Sequence, residues 1–260
     1  MTGNTTWAPT AFGTRARTYD LVRPGYPAAA LSQAMGAGAG DPPGSALDIG
    51  CGTGKLSTAL TELGHQVTGV EPDPRMAAVA SAKGLTVEVA SFEAWDPAGR
   101  RFDVVACGQA WHWMRPGERA AKAAGCLHPG GRILLAWNFS TLPPPVASGL
   151  SRVYTSVLPD GLPTGEGGRQ SLTESDLDAY AEELRHHGFS QVTKALAPWH
   201  CRLTSRQWCR LLATESRHLA LPRASRRQLL REVARCLDTD HDGEVHIAYR
   251  CVVLGASAGR

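Results

Sequence analysis

"ALDIGCGTGKLSTAL", residues 46–60, sets an apolar run and a carboxylate, Asp48, directly against three glycines at alternate positions, Gly50, Gly52 and Gly54. A helix-like pattern resumes at Lys55. A glycine turn leading from a strand into a helix lets a ligand approach the backbone and aims free helix N–H groups at it. Turns of this kind usually cradle phosphate, and a carboxylate two residues ahead would repel one. The stretch thus specifies a local architecture and also limits the charge of whatever binds there.

Outward from it, short apolar runs alternate with helical segments. Strands are expected at 45–49, 66–70, 86–90, 102–107 and 132–138, and helices at 55–63, 74–83 and 116–126. Asp73 followed by Pro74 reads as an N-cap and a first-turn proline, and Gly64 and Gly84 stand where C-terminal caps belong. This spacing predicts an α/β fold, a mostly parallel sheet with helices on both faces. Beyond 138 comes a Pro- and Gly-rich loop with a short helix at 150–157. A helix capped by Thr173 and Asp176 then runs to Gly188, and a strand follows at 191–203. Thr204 and Gln207 open helices at 205–220 and 223–237, and a last strand starts at Val245. The division expected is an N-terminal helical segment, 1–44, a ligand-binding core, 45–138, and the remainder, 139–260, all within one domain. The insertions after strands 5 and 6 begin at the carboxyl edge of the sheet, where ligands bind in such folds, and are expected to form a helical substrate cap.

The bulk composition fits a folded chain: 260 residues, 43% hydrophobic and 20% charged. Seven cysteines lie singly at 51, 107, 126, 201, 209, 236 and 251, without a C-x-x-C pair, which suits a reducing compartment. With neither a leader pattern nor an apolar run long enough to span a bilayer, the expected setting is cytoplasmic, with no membrane partner. A net charge of +3 does not demand nucleic acid, although nine arginines between 202 and 235 face only Glu215 and Glu232.

Glu71, at the end of the second strand, stands where an acid holds ribose hydroxyls in dinucleotide folds. The glycine spacing here is G-x-G-x-G rather than G-x-G-x-x-G, and Asp48 disfavours a pyrophosphate. A nucleoside carrying positive charge satisfies both acids. S-adenosylmethionine, with an ammonium and a sulfonium, has that chemistry.

The motifs "LDIGCGTGKLS", "VEPDPRM", "ASFEAWD", "ACGQAWHWM" and "LHPGGRILLAWN", in this order, resemble the class I S-adenosylmethionine-dependent methyltransferases. At the two ends, "FGTRARTYDLVRPGYP" and "LLATESRHLALPRASRRQLL" are similar to a small-molecule subgroup that includes the trans-aconitate methyltransferase type. The resemblance implies a Rossmann-like sheet of seven strands, the last pair antiparallel, and S-adenosylmethionine as the cofactor. It implies that Gly50 and Gly52 meet the methionine moiety, that Glu71 binds the ribose and that Pro72 and Met76 flank the adenine. Ser91 and Phe92 would meet the adenine edge, Ser91 replacing the family's usual Asp. Gln109 and Ala110 would present backbone groups to the methionine amine. Tyr19 and Arg23 resemble the N-terminal residues that close over the cofactor and meet its carboxylate.

Methyl transfer from a sulfonium is an in-line displacement, so nucleophile, methyl and sulfur must be held collinear, and no metal is required. His112 is the candidate base, with pocket shaping as its other reading. Trp111, Trp113, Trp137 and Asn138 are expected to line the acceptor pocket. Arg217 and His218, with Thr214, either face it or lie on a solvated helix face. Asp238, Asp240 and Asp242 mimic a calcium loop, but its twelfth position is Tyr249, so a turn is expected. A nucleic-acid methyltransferase and a non-catalytic S-adenosylmethionine-binding protein are the alternatives to a small-molecule enzyme. A homodimer is left open.

Overall fold

In a computed structural model that describes residues 9–36, 43–163 and 173–259, a 3-10 helix, Pro9–Arg15, leads into two short helices, α1 (Ala16–Val22) and α2 (Ala28–Met35). The alternation then runs β1 (Ser45–Ile49), α3 (Lys55–Glu62), β2 (Gln66–Val70), α4 (Pro74–Ser81), β3 (Thr86–Glu88), β4 (Phe102–Gly108), α5 (Arg119–Gly125) and β5 (Leu127–Thr141). After it come α6 (Pro144–Val157), α7 (Glu174–His186), β6 (Ser190–Thr204), α8 (Ser205–Leu212), α9 (Ser216–Leu219), α10 (Arg223–Asp240) and β7 (Glu244–Ser257).

The strands form one seven-stranded sheet in the order β3-β2-β1-β4-β5-β7-β6. β1 pairs in parallel with β2 and β4, β2 with β3, and β4 with β5. The order reverses between β1 and β4, which creates the crevice where ligands of such sheets bind. β7 runs antiparallel to β6, because the partners of Gln191, Thr193 and Trp199 are Ser257, Gly255 and Tyr249. This is the Rossmann-like arrangement expected, with a mixed edge.

The chain falls into two compact units. Among the described residues, one holds 24–36, 43–139, 173–198 and 250–259; the other holds 9–23, 140–163 and 199–249. In the first, which carries the glycine turn, Leu47, Ile49, Val105, Ile133, Leu134 and Leu135 are fully buried, as strands covered on both faces require. Gly54 caps α3 with φ +81°, a conformation that strains any residue with a side chain, and a Cβ there would also displace the Leu85 side chain. In the second unit, Val146 and Leu150 of α6, Trp208 and Leu211 of α8, and Leu229, Val233 and Leu237 of α10 pack with Val245 and Ile247 of β7.

Several boundaries differ from expectation for local reasons. α6 starts at Pro144, not near 150, because a proline in the first helical turn gives up no needed hydrogen bond. The helix expected over 205–220 breaks into α8 and α9. Thr214 bonds Leu211 O through its own N–H and hydroxyl, and its carbonyl accepts from Arg23. Glu215 is then extended, with ψ 140°. β3 ends at Glu88 rather than at 90.

Truncating Leu47 to alanine, at 0% exposure on β1, should cost about 2–5 kcal/mol. Urea unfolding monitored by tryptophan fluorescence measures it; a loss below about 1 kcal/mol would contradict the core assignment.

Candidate active site

β1 delivers Asp48 and then the glycine turn to the carboxyl edge of the sheet. The turn is pinned to β2, since Gly50 N and Cys51 N both donate to Val70 O, at 2.8 and 3.1 Å. Gly50 has φ +65°, and a Cβ there would lie 2.7 Å from Ala110 Cβ, so the loop after β4 closes directly on the turn. Gly52, at φ +57°, has as its nearest neighbour on that side the Met76 ε-methyl, 3.5 Å from where a Cβ would be. Met76 itself is buried.

Glu71, just past β2, bonds the turn with one oxygen and α4 with the other: Oε2 accepts from Gly52 N and Oε1 from Asp73 N, each at 2.9 Å. Burial raises its pKa, against the lowering effect of the two N–H bonds. Pro72 follows, half-buried. Asp73, at 0% exposure, caps α4 by accepting from Arg75 N and pairs with the Arg75 side chain at 2.8 Å.

Asp48 is completely buried. Its Oδ2 accepts from Ser57 Oγ at 2.6 Å, while Oδ1 has no hydrogen-bond partner among the described residues. Burial pushes its pKa up to about 7, although the Ser57 hydroxyl and N–H pull it down. Glu71 adds a smaller upward push. Ser57 lies in the first turn of α3, where N–H groups lack helical partners. No sequence pattern had singled it out.

The adenine-edge candidates separate. Ser91 Oγ accepts from Ala94 N at 3.3 Å. Phe92 is a core residue, stacked on Trp95 and beneath the Lys122 ammonium at 5.1 Å.

At the end of β4, Gln109 adopts φ +57°, rare for a residue with a side chain, and its amide donates to Asn138 O. Asn138 Nδ2 in turn donates to Gly25 O. A Cβ on Gly108 would lie 2.5 Å from the Tyr26 hydroxyl, so this strand glycine admits a tyrosine that sequence reading had passed over. His112 and Trp113 sit in a one-turn 3-10 segment, Trp111–Trp113, with ring centres 5.0 Å apart. Trp111 and Trp137, expected to line a pocket, are instead fully buried packing residues. Trp111 Nε1 donates to Glu183, and Trp137 stacks on Tyr180 at 5.5 Å.

The remaining candidates belong to the second unit. Arg23 Nε donates to Thr214 Oγ1 at 3.0 Å, and its guanidinium lies 5.2 Å from the Tyr19 ring. Arg217 donates to the carbonyls of Leu162 and Pro163. His218, 2% exposed, bridges Glu215, 3.3 Å from Nδ1, and the Tyr154 hydroxyl, 2.6 Å from Nε2. A solvated helix face is therefore the wrong description of His218. Tyr154 carried no local signal, since 64 residues separate the phenol from its imidazole, whereas Glu215 stands one helical turn before His218. Asp238 and Asp240 belong to the last turn of α10.

Comparison with known proteins agrees with this geometry. Residues 47–135 match the model of a family described as a methyltransferase domain. An uncharacterized methyltransferase of Mycobacterium bovis is 36% identical over 130 residues, 49% of this chain and 52% of that protein. A ubiquinone biosynthesis O-methyltransferase of Burkholderia lata is 37% identical over 105 residues, 37% of this chain and 44% of that one. The chain thus spans about half the length of the curated relatives it matches. Among solved structures, the phosphoethanolamine N-methyltransferase 2 of Haemonchus contortus in complex with S-adenosylhomocysteine superposes with TM-score 0.54 at 18% identity. The match covers 97% of this chain and 60% of that one. A protein of Anaeromyxobacter dehalogenans gives TM-score 0.63 at 20% identity, over 91% and 98% of the two chains. The segment 47–135, which carries the glycine turn and both acids, is thus similar to that methyltransferase-domain family.

Proposed function

We propose that the protein transfers the methyl group of S-adenosylmethionine to a small-molecule acceptor and releases S-adenosylhomocysteine. The observation that carries this reading is Asp48: a buried carboxylate whose Oδ1 lacks a donor, beside a second acid, Glu71, at the edge of a glycine turn. Two buried acids repel an anionic ligand and favour a cationic one.

In this reading Gly50, Gly52, Gln109 and Ala110 face the amino-acid end of the donor, and Glu71 holds its ribose through the lone pairs its backbone bonds leave over. Pro72, Met76, Ser91 and Phe92 frame the adenine, Phe92 and Met76 by packing beneath it. When bound, the sulfonium supplies an electrophilic methyl group. The acceptor's lone pair forms the new bond to carbon as the carbon–sulfur bond breaks and its electrons return to sulfur. His112 takes the proton that a hydroxyl acceptor must lose, and Trp113 and Asn138 shape the acceptor's side. The Burkholderia relative, a ubiquinone biosynthesis enzyme, supports a small organic acceptor. The subgroup similar to the trans-aconitate type rests on the two end motifs. Seven unpaired cysteines suit a cytoplasmic setting. Among the described residues no helix is long and apolar enough to cross a membrane.

Calorimetric titration with S-adenosylhomocysteine should give micromolar or tighter binding, weakened at least about tenfold by Glu71→Ala, with NAD not bound. Preference for NAD would overturn the reading.

Asp48 makes a second prediction. Between pH 3.8 and about 7 the unfolded chain has released its proton while the folded chain still holds it, so this group's stabilisation is full at the acid end and is lost as pH rises through the window. Urea unfolding across that range should show wild type losing stability relative to Asp48→Asn. Parallel profiles would contradict the assignment.

A further inference from the structure

Arg119 opens α5 and is almost completely enclosed. Its side chain is 6% exposed and that of Glu183, on α7, is 15% exposed. Arg119 Nε and Nη2 donate to the Glu183 carboxylate at 2.8 and 2.6 Å. Nη1 turns the other way and donates to Trp111 O at 2.7 Å, with Met114 O at 3.4 Å. The guanidinium lies between two rings, 5.1 Å from Trp111 and 5.0 Å from Tyr180.

Stability alone does not explain this arrangement. Desolvating two charges costs enough that apolar residues of similar volume commonly do as well or better. What the pair does supply is geometry. A planar fork can engage a carboxylate along one edge and backbone carbonyls along another, which no apolar side chain can do. Those carbonyls belong to the one-turn 3-10 segment Trp111–Trp113 and the residue after it, and so short a segment is poorly held by its own bonds. Immediately before it lies Gln109 at φ +57°, then Ala110, whose Cβ abuts Gly50. A non-glycine residue in this region persists only where its surroundings dictate it.

We propose that Arg119, oriented by Glu183, is a positioning residue that holds the Gln109–Ala110 backbone against the glycine turn and thereby sets affinity for the amino-acid end of the methyl donor. This rests on the function proposed above. It makes Glu183, on a helix far along the chain, a determinant of cofactor binding through Arg119 and through the bond it accepts from Trp111 Nε1.

The test compares two ligands. S-adenosylhomocysteine carries the amino-acid group; 5′-methylthioadenosine keeps the nucleoside and thioether and lacks it. Wild type, Arg119→Lys and the double variant Arg119→Met with Glu183→Leu are titrated with both, and thermal unfolding is recorded. The double variant should melt at or above the wild-type temperature yet bind S-adenosylhomocysteine at least about tenfold more weakly, with 5′-methylthioadenosine within about twofold of wild type. Arg119→Lys, which cannot reach both the carboxylate and Trp111 O, should shift in the same direction. A folded variant that binds S-adenosylhomocysteine as wild type does, or that loses both ligands equally, overturns the proposal. If the double variant does not fold, Arg119→Lys decides by the same comparison. If wild type binds neither ligand, the methyl-donor reading itself fails, and this inference falls with it.

Discussion

Glu71 bridges two backbone segments with one carboxylate, taking the N–H of Gly52 on one side and that of Asp73 on the other. The glycine turn has left-handed φ values at Gly50, Gly52 and Gly54 and few side chains of its own to hold it. That bridge, with the two bonds from the turn to Val70 O, fixes its path. The start of α3, the burial of Asp48 under Ser57, and the approach of Ala110 to Gly50 all depend on where the turn runs.

The same bridge concentrates negative charge. Asp48, Glu71 and Asp73 are all buried, and of the three Asp73 pairs with an arginine, Arg75. Carboxylates in such surroundings either take up protons or wait for a cation, and Asp48, raised to about 7, stands between the two at neutral pH. Desolvation, more than any single contact, is what raises Asp48.

Polar side chains organise the second unit differently. Arg23 takes over the Thr214 hydroxyl and carbonyl at the point where α8 stops. Glu215, His218 and Tyr154 form a chain of carboxylate, imidazole and phenol alongside. Burial works to raise the Glu215 pKa, but the His218 bond with the Arg23 and Arg217 charges holds it below the ordinary range. A helix break that local propensity does not foretell thus follows from an arginine 191 residues away.

What the sequence determined by itself is whatever rests on neighbours in the chain. Strand and helix periods, the glycine turn, the caps at Asp73, Thr173 and Thr204, and the acids at 48 and 71 all act over a few residues, and from them came the sheet and the place of the glycine turn within it. Only tertiary structure decided how side chains distant in sequence share buried space. It gave Trp111 to the Arg119–Glu183 pair, Trp137 to Tyr180, Gly108 to Tyr26 and His218 to Tyr154. Those contacts join residues dozens of positions apart, and they are set by packing and by the cost of leaving a buried polar group unpaired, which no local pattern records.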